Sequence, residues 1–279
     1  MKSITRPAFT VRELFTFCIS TVDDQVDKQD LRDCIDVIMQ AEADFDNRFV
    51  LNEVHLITRN NTVLGNVGKK EMASVYNYRM VRPGMPGHIY YRTIISSAPQ
   101  GRCPYCLIRN ANTIDHYLPQ AKYPIYSITP INLVPCCSMC NTDKKVAYPT
   151  SSETQTLHPY YDSIENEPWL KARIIRTIPL GFEYYADPPA RWSQIFKDRV
   201  INHFNAYELN ALYSDHANEE FTEVKQQLIG QYNNGPDELR KHLEDTYRSR
   251  LSNGVNGWRP VLYHALLHDD WFCNGGLLT

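Results

Sequence analysis

Two Cys-x-x-Cys pairs constrain this chain more than any other feature of it. Cys103 and Cys106 stand in CPYC, and Cys137 and Cys140 stand in CSMC. Each such turn lets two sulfurs reach one ion. Four thiolates hold Zn²⁺ tetrahedrally at about 2.3 Å and leave no position open. The spacing therefore predicts a structural Cys₄ zinc that ties residue 103 to residue 140. Zinc held this way contributes on the order of 10 kcal/mol to folding, more than so short a segment supplies by apolar packing. A disulfide framework is the competing reading of eight cysteines, and a reducing compartment argues against it. A redox role would suit a thioredoxin-like βαβ context, which the sequence lacks. Cys136 has no two-residue gap to Cys140. With Cys18, Cys34 and Cys273 it reads as a small buried hydrophobe.

Between and just after the pairs lie residues suited to phosphodiester chemistry. Thr113–Tyr117 (TIDHY) reads as a short strand, Ile131–Val134 as a second, and Ser138–Val146 as a helix. Neighbouring strand residues point to opposite sides, so Asp115 and His116 take different tasks. An imidazole titrates near pH 6.5 and suits a general base acting on water. Asp115 is a hard oxygen donor, and Asn141, in the first turn of the helix, offers a second oxygen. Two protein oxygens completed by water and phosphate is the way Mg²⁺ is usually bound. Such a cation neutralises charge on the phosphate and the departing oxygen. Asn132 would bridge the long loop by side-chain–backbone hydrogen bonds and so orient His116. Lys144, one turn beyond Asn141, and Lys145 are candidates to meet phosphate.

The run I-D-H-Y-L-P, then N-L-V-P-x-C-x-x-C-N-x-x-K, resembles the HNH endonucleases of the His-Me finger (ββα-metal) superfamily, nearest the zinc-stapled branch. The resemblance implies His116 as general base, and Asp115 and Asn141 as ligands of a catalytic Mg²⁺ or Mn²⁺. It implies Asn132 as the structural asparagine and hydrolysis leaving 5′-phosphate and 3′-hydroxyl. The third signature position, His in many members, is Asn141 here. A looser likeness covers the basic, tyrosine-rich stretch before CPYC, LHPYYD at 157–162 and the terminal W…AL…FCNGG. These look similar to stand-alone bacterial HNH proteins of anti-phage systems, the Septu-type and retron-associated nucleases. That likeness implies a defence effector with nucleic acid and a partner ATPase as partners. The alternative is a non-catalytic zinc ribbon that binds nucleic acid or protein.

The rest of the chain reads as an α+β protein, mostly helical, with the ββα-metal module at its centre. Residues 1–98 form a mainly helical N-terminal region, 99–165 the HNH module with its knuckles, and 166–279 a mainly helical C-terminal region. In the first, Leu31, Cys34, Ile35, Ile38 and Ala41 recur at helical spacing behind Asp30 as a plausible cap. Lys69, Lys70, Arg79 and Arg82 interleave with Tyr76, Tyr78, Tyr90 and Tyr91. They read either as a phosphate- and base-contacting surface or as a solvated face over packed tyrosines. Residues 173–186 read as a strand or hairpin around Pro179–Gly181. GWRPVLYHALLHDDWF reads as a terminal helix ended by Asn274–Gly276. His158, in HPYYD, is either an extra metal or phosphate ligand or an imidazole packed among aromatics. His203, His264 and His268 read as core or surface histidines. The net charge of −3 argues against a protein that coats nucleic acid non-specifically. No apolar run spans a bilayer and no signal peptide is evident, so a cytoplasmic location is expected.

Overall fold

The computed structural model describes residues 1–279, the side chain at position 253 aside. Helix dominates, and its first element starts at a built cap. Thr10 accepts the Glu13 N–H while the Glu13 carboxylate takes the Thr10 N–H, a reciprocal capping box for α1, Val11–Ile19. Val11, Leu14, Phe15, Cys18 and Ile19 are its buried stripe. The next helix, α2, spans Gln25–Val50 and is capped by Asp24, which accepts the N–H groups of Val26 and Asp27. Asp30, the cap expected from the sequence, lies inside the helix. The first turn of α2 buries nothing, so apolar periodicity begins later than the helix does.

The chain divides into two compact units, Met1–Ser163 and Ile164–Thr279. The expected division near residue 98 does not exist. Ile94 and the buried faces of α1 and α2 share one apolar cluster with Ile114, Ile128 and Leu133, so the N-terminal helices and the central module have a common core. The second boundary falls two residues before the expected one.

In the first unit, a small antiparallel hairpin of β1 (Thr62–Leu64) and β2 (Val67–Gly68) leads into α3, Lys69–Ser74. That helix runs on into a π-helical segment, Val75–Val81, followed by α4, His88–Ser96. Tyr76 of the π segment is buried, whereas Lys69, Lys70, Tyr78, Arg82 and Arg92 are exposed. The central module follows. Strand β3, Thr113–His116, pairs antiparallel with β4, Leu133–Cys136, from Thr113 opposite Cys136 to His116 opposite Leu133. Helix α5, Ser138–Lys144, comes next and packs on β3, while α4 packs on both strands. The long connection 117–132 is anchored in a second, largely aromatic cluster with Phe45, Phe49, Tyr117, Tyr123, Tyr126 and Ile131.

The second unit carries β5, Leu170–Ile175, paired antiparallel with β6, Gly181–Ala186, as the hairpin reading expected. Five helices complete it: α6 (Gln194–Ala206), α7 (Leu209–Asn233), α8 (Pro236–Arg250), α9 (Trp258–His268) and α10 (Asp270–Cys273). The single terminal helix expected from the sequence is broken at Asp269, whose side chain caps α10 through the Phe272 N–H. Buried Asn256 accepts the N–H groups of Trp169 and Leu170 and donates to the carbonyls of Ile164 and Glu167, fixing the entry to β5. Among the described residues, no helix is long and apolar enough to cross a membrane.

Candidate metal and catalytic centre

The two knuckles meet. The ligand atoms of Cys103, Cys106, Cys137 and Cys140 lie within 4.8 Å of one another, and all four residues are buried. A tetrahedron with bonds of about 2.3 Å has edges of about 3.8 Å; the Cys106 and Cys137 sulfurs are 4.0 Å apart. Local geometry builds this. Leu107, in left-handed conformation at φ 60°, returns its N–H to the Cys103 carbonyl at 2.8 Å and closes the first turn. The Cys137 sulfur caps α5 by accepting the Cys140 N–H at 3.4 Å. Hydrogen bonds within the group, those from Cys103, Cys106 and Cys140, pull the Cys137 thiol down, and the Cys103 bond pulls Cys106 down as well. The group can hold a metal ion such as zinc. Cys136 is buried beside it with its thiol pushed up by burial, in keeping with a packing role.

Asp115 and His116 face different surroundings, as strand alternation requires. The Asp115 side chain is sealed, with the residue 2% exposed. Lys144 Nζ donates to Oδ1 at 2.9 Å and to Oδ2 at 2.7 Å, and the Tyr105 hydroxyl donates to Oδ2 at 3.0 Å. The third Lys144 donor goes to the His116 carbonyl at 2.7 Å. Lys144 is 4% exposed, and an ammonium has three donors, so none remains for a substrate phosphate. Two expectations are corrected by this pair. Lys144 meets a carboxylate instead of phosphate, and Asp115 has no oxygen clear for a divalent cation as the side chains stand. Asn141 is half-buried in the first turn of α5, and Lys145 is exposed at its end.

The His116 ring points to the other side of the strand. Its Nε2 lies 3.0 Å from the Ser127 carbonyl, and its ring sits edge-on to Tyr76 with centroids 4.4 Å apart. A carbonyl only accepts, so Nε2 carries the proton and Nδ1 keeps its lone pair. Burial pushes the imidazole down to about 4, opposed by the bond to Ser127. At neutral pH the ring is a neutral acceptor. Asn132, fully buried, secures the loop that supplies that carbonyl. It accepts the Leu118 N–H at 2.7 Å and donates to the carbonyls of Leu118 and Tyr126 at 3.0 Å each. These three bonds close the neck of the 117–132 connection.

His158 is fully buried, with Nδ1 accepting the Tyr160 N–H at 3.1 Å and Nε2 donating to the Ile131 carbonyl at 3.0 Å. Its ring packs on Tyr117, Phe49 and Tyr161. Both nitrogens are taken, so the ligand reading of His158 is withdrawn. Sequence reasoning missed Tyr105 and Ser127, and it placed Tyr76 in the basic, tyrosine-rich stretch without setting it against His116. Tyr105 carried a signal in its place inside the knuckle CPYC. Ser127 acts through its backbone, which no side-chain pattern reports.

No family model matches the chain, and no solved structure matches it. The chain is similar to "Protein ea31" of Escherichia phage lambda, 26% identical over 300 residues, a match covering 99% of this chain and 100% of that protein.

Proposed function

We propose that the first unit is a zinc-stapled nuclease that hydrolyses nucleic-acid phosphodiester bonds, with His116 as general base. The observation that carries the reading is the fixed tautomer of His116. An imidazole anchored through Nε2 to a backbone carbonyl presents Nδ1 as a neutral acceptor, the state needed to take a proton from water. Asn132 holds the loop behind it. The Cys₄ group, read as zinc, clamps the start and end of the β3–β4–α5 unit.

Charge favours a polyanionic substrate. Residues 59–152 carry eleven Lys or Arg against three Asp or Glu, although the whole chain has a net charge of −3. Lys69, Lys70, Arg82, Arg92, Arg102, Lys122 and Lys145 of that stretch are exposed. Such a segment attracts phosphate backbones in a salt-dependent way. The Mg²⁺ or Mn²⁺ of the family resemblance does not fit Asp115 while Lys144 holds both carboxylate oxygens.

That same pair favours one other reading, a zinc-bearing binding module in which Asp115 is only a structural anion. Incubating the protein with plasmid, single-stranded DNA and transfer RNA in the presence of Mg²⁺ separates the two. The nuclease reading expects cleavage of at least one substrate and a loss of about 10²-fold or more in His116→Ala. Cleavage undiminished in that variant removes His116 from the chemistry. A folded, zinc-loaded protein that binds nucleic acid and cuts none of the three supports the module.

A further inference from the structure

We propose that Tyr76 is a positioning residue for His116: its ring closes one face of the imidazole and holds Nδ1 to a single direction. The inference rests on the nuclease reading in taking His116 as the base.

The χ2 torsion of histidine is broad and roughly two-fold, so the side chain alone does not choose where its nitrogens point. A half-turn about χ2 would put a carbon where Nε2 now meets the Ser127 carbonyl and would carry Nδ1 to the other side. The hydrogen bond to Ser127, at 3.0 Å, favours the observed orientation. Carbonyl oxygens accept over a broad range of directions, so that bond alone lets the ring rock. Tyr76 supplies the second restraint. It is 7% exposed, and its ring meets the imidazole at 67° with centroids 4.4 Å apart. Aromatic pairs usually stand about 4.5–7 Å apart, so that face is closed to a turning ring. His116 itself is half-buried, so the imidazole is not sealed from water.

The backbone under Tyr76 is unusual. Val75–Val81 is π-helical and continues α3. Met72, Val75, Tyr76 and Met80 are the buried residues of this stretch, at a spacing that an ordinary α-helix would bury equally well. Burial alone therefore does not call for the wider turn. Turns of the π kind gather at functional sites, and here the turn carries the ring that touches the proposed base.

Nuclear magnetic resonance of the zinc-loaded protein at neutral pH tests this, alongside kinetics on whichever of the three nucleic acids it cleaves. In wild type the His116 ring should be as rigid as ordered backbone, with an order parameter of about 0.85, and its Nε2 proton should be visible. In Tyr76→Leu that proton signal should be lost to exchange with water. There kcat should fall about tenfold at unchanged KM, a part of the roughly 10²–10⁴-fold that a positioned base supplies. Tyr76→Phe, which keeps the ring, should restore both. A folded Tyr76→Leu that keeps the signal and its kcat overturns the positioning role and spares the nuclease reading. A ring that already turns freely in wild type overturns it too, whether or not the variants fold. Loss of the signal in Tyr76→Leu, with no nucleic acid cut by wild type, upholds the restraint and removes the reaction it was to serve.

Discussion

Two polar clusters sit within one small module and have opposite characters. At the knuckles, four buried sulfurs lie within 4.8 Å of one another. At Asp115, a buried carboxylate has its charge balanced by Lys144 and a further bond from Tyr105. The first arrangement, as four thiolates, would repel itself without a cation, because buried charge needs a partner. The second is complete without one. A buried charge is tolerated only when paired and hydrogen-bonded, and the protein supplies the partner itself. Closeness of potential ligands therefore does not by itself make a metal site. What separates the two is whether the protein's own donors already satisfy the ligands.

The largest test of this contrast is removal of a sulfur. Cys140→Ser should abolish stoichiometric zinc and unfold the first unit, a loss on the order of 10 kcal/mol, read by metal analysis and circular dichroism. A folded, metal-free variant would erase the distinction between the clusters. Next in size is Lys144→Met. Removing one partner of a buried ion pair costs about 3–5 kcal/mol, visible as a lowered urea midpoint. The double variant Lys144→Met with Asp115→Asn should recover most of that loss. A cost below about 1 kcal/mol, the range of exposed pairs, would mean that the carboxylate has another counterion. The smallest effect concerns pH. Burial holds the folded His116 imidazole down to about 4 against an ordinary 6.5. Between those values the unfolded chain binds a proton that the folded chain refuses, so stability falls as pH drops through that window. His116→Asn should be less pH-sensitive than wild type from pH 6.5 to 4. Equal slopes would show that the imidazole is not held neutral in the fold.

Legibility in the sequence followed the range of the interaction. The knuckles could be read because each pair is set by a turn of four residues. The β3 strand, the α5 helix and the Asn132 clamp were readable for a similar reason, each lying inside one compact stretch of chain, whereas the second strand starts two residues later than expected because Pro130–Asn132 form a 3₁₀ turn. The Asp115–Lys144 bond was not, because it depends on how the end of α5 lies against β3, which no spacing encodes. His158 remained ambiguous until its two hydrogen bonds, to Tyr160 and Ile131, were seen. The boundary near residue 98 was misplaced because a change in composition there is not a change in core. Ile94 lies before it and Ile114 after it, in one cluster.

The pleat of β3 imposes a parity on the centre. Side chains change sides at every residue, so the carboxylate and the imidazole keep their separate neighbours only while the count from Thr113 stays even or odd as it is. Deleting one residue ahead of Asp115 would hand the imidazole to Lys144 and turn the acid toward Tyr76, with the total length barely altered.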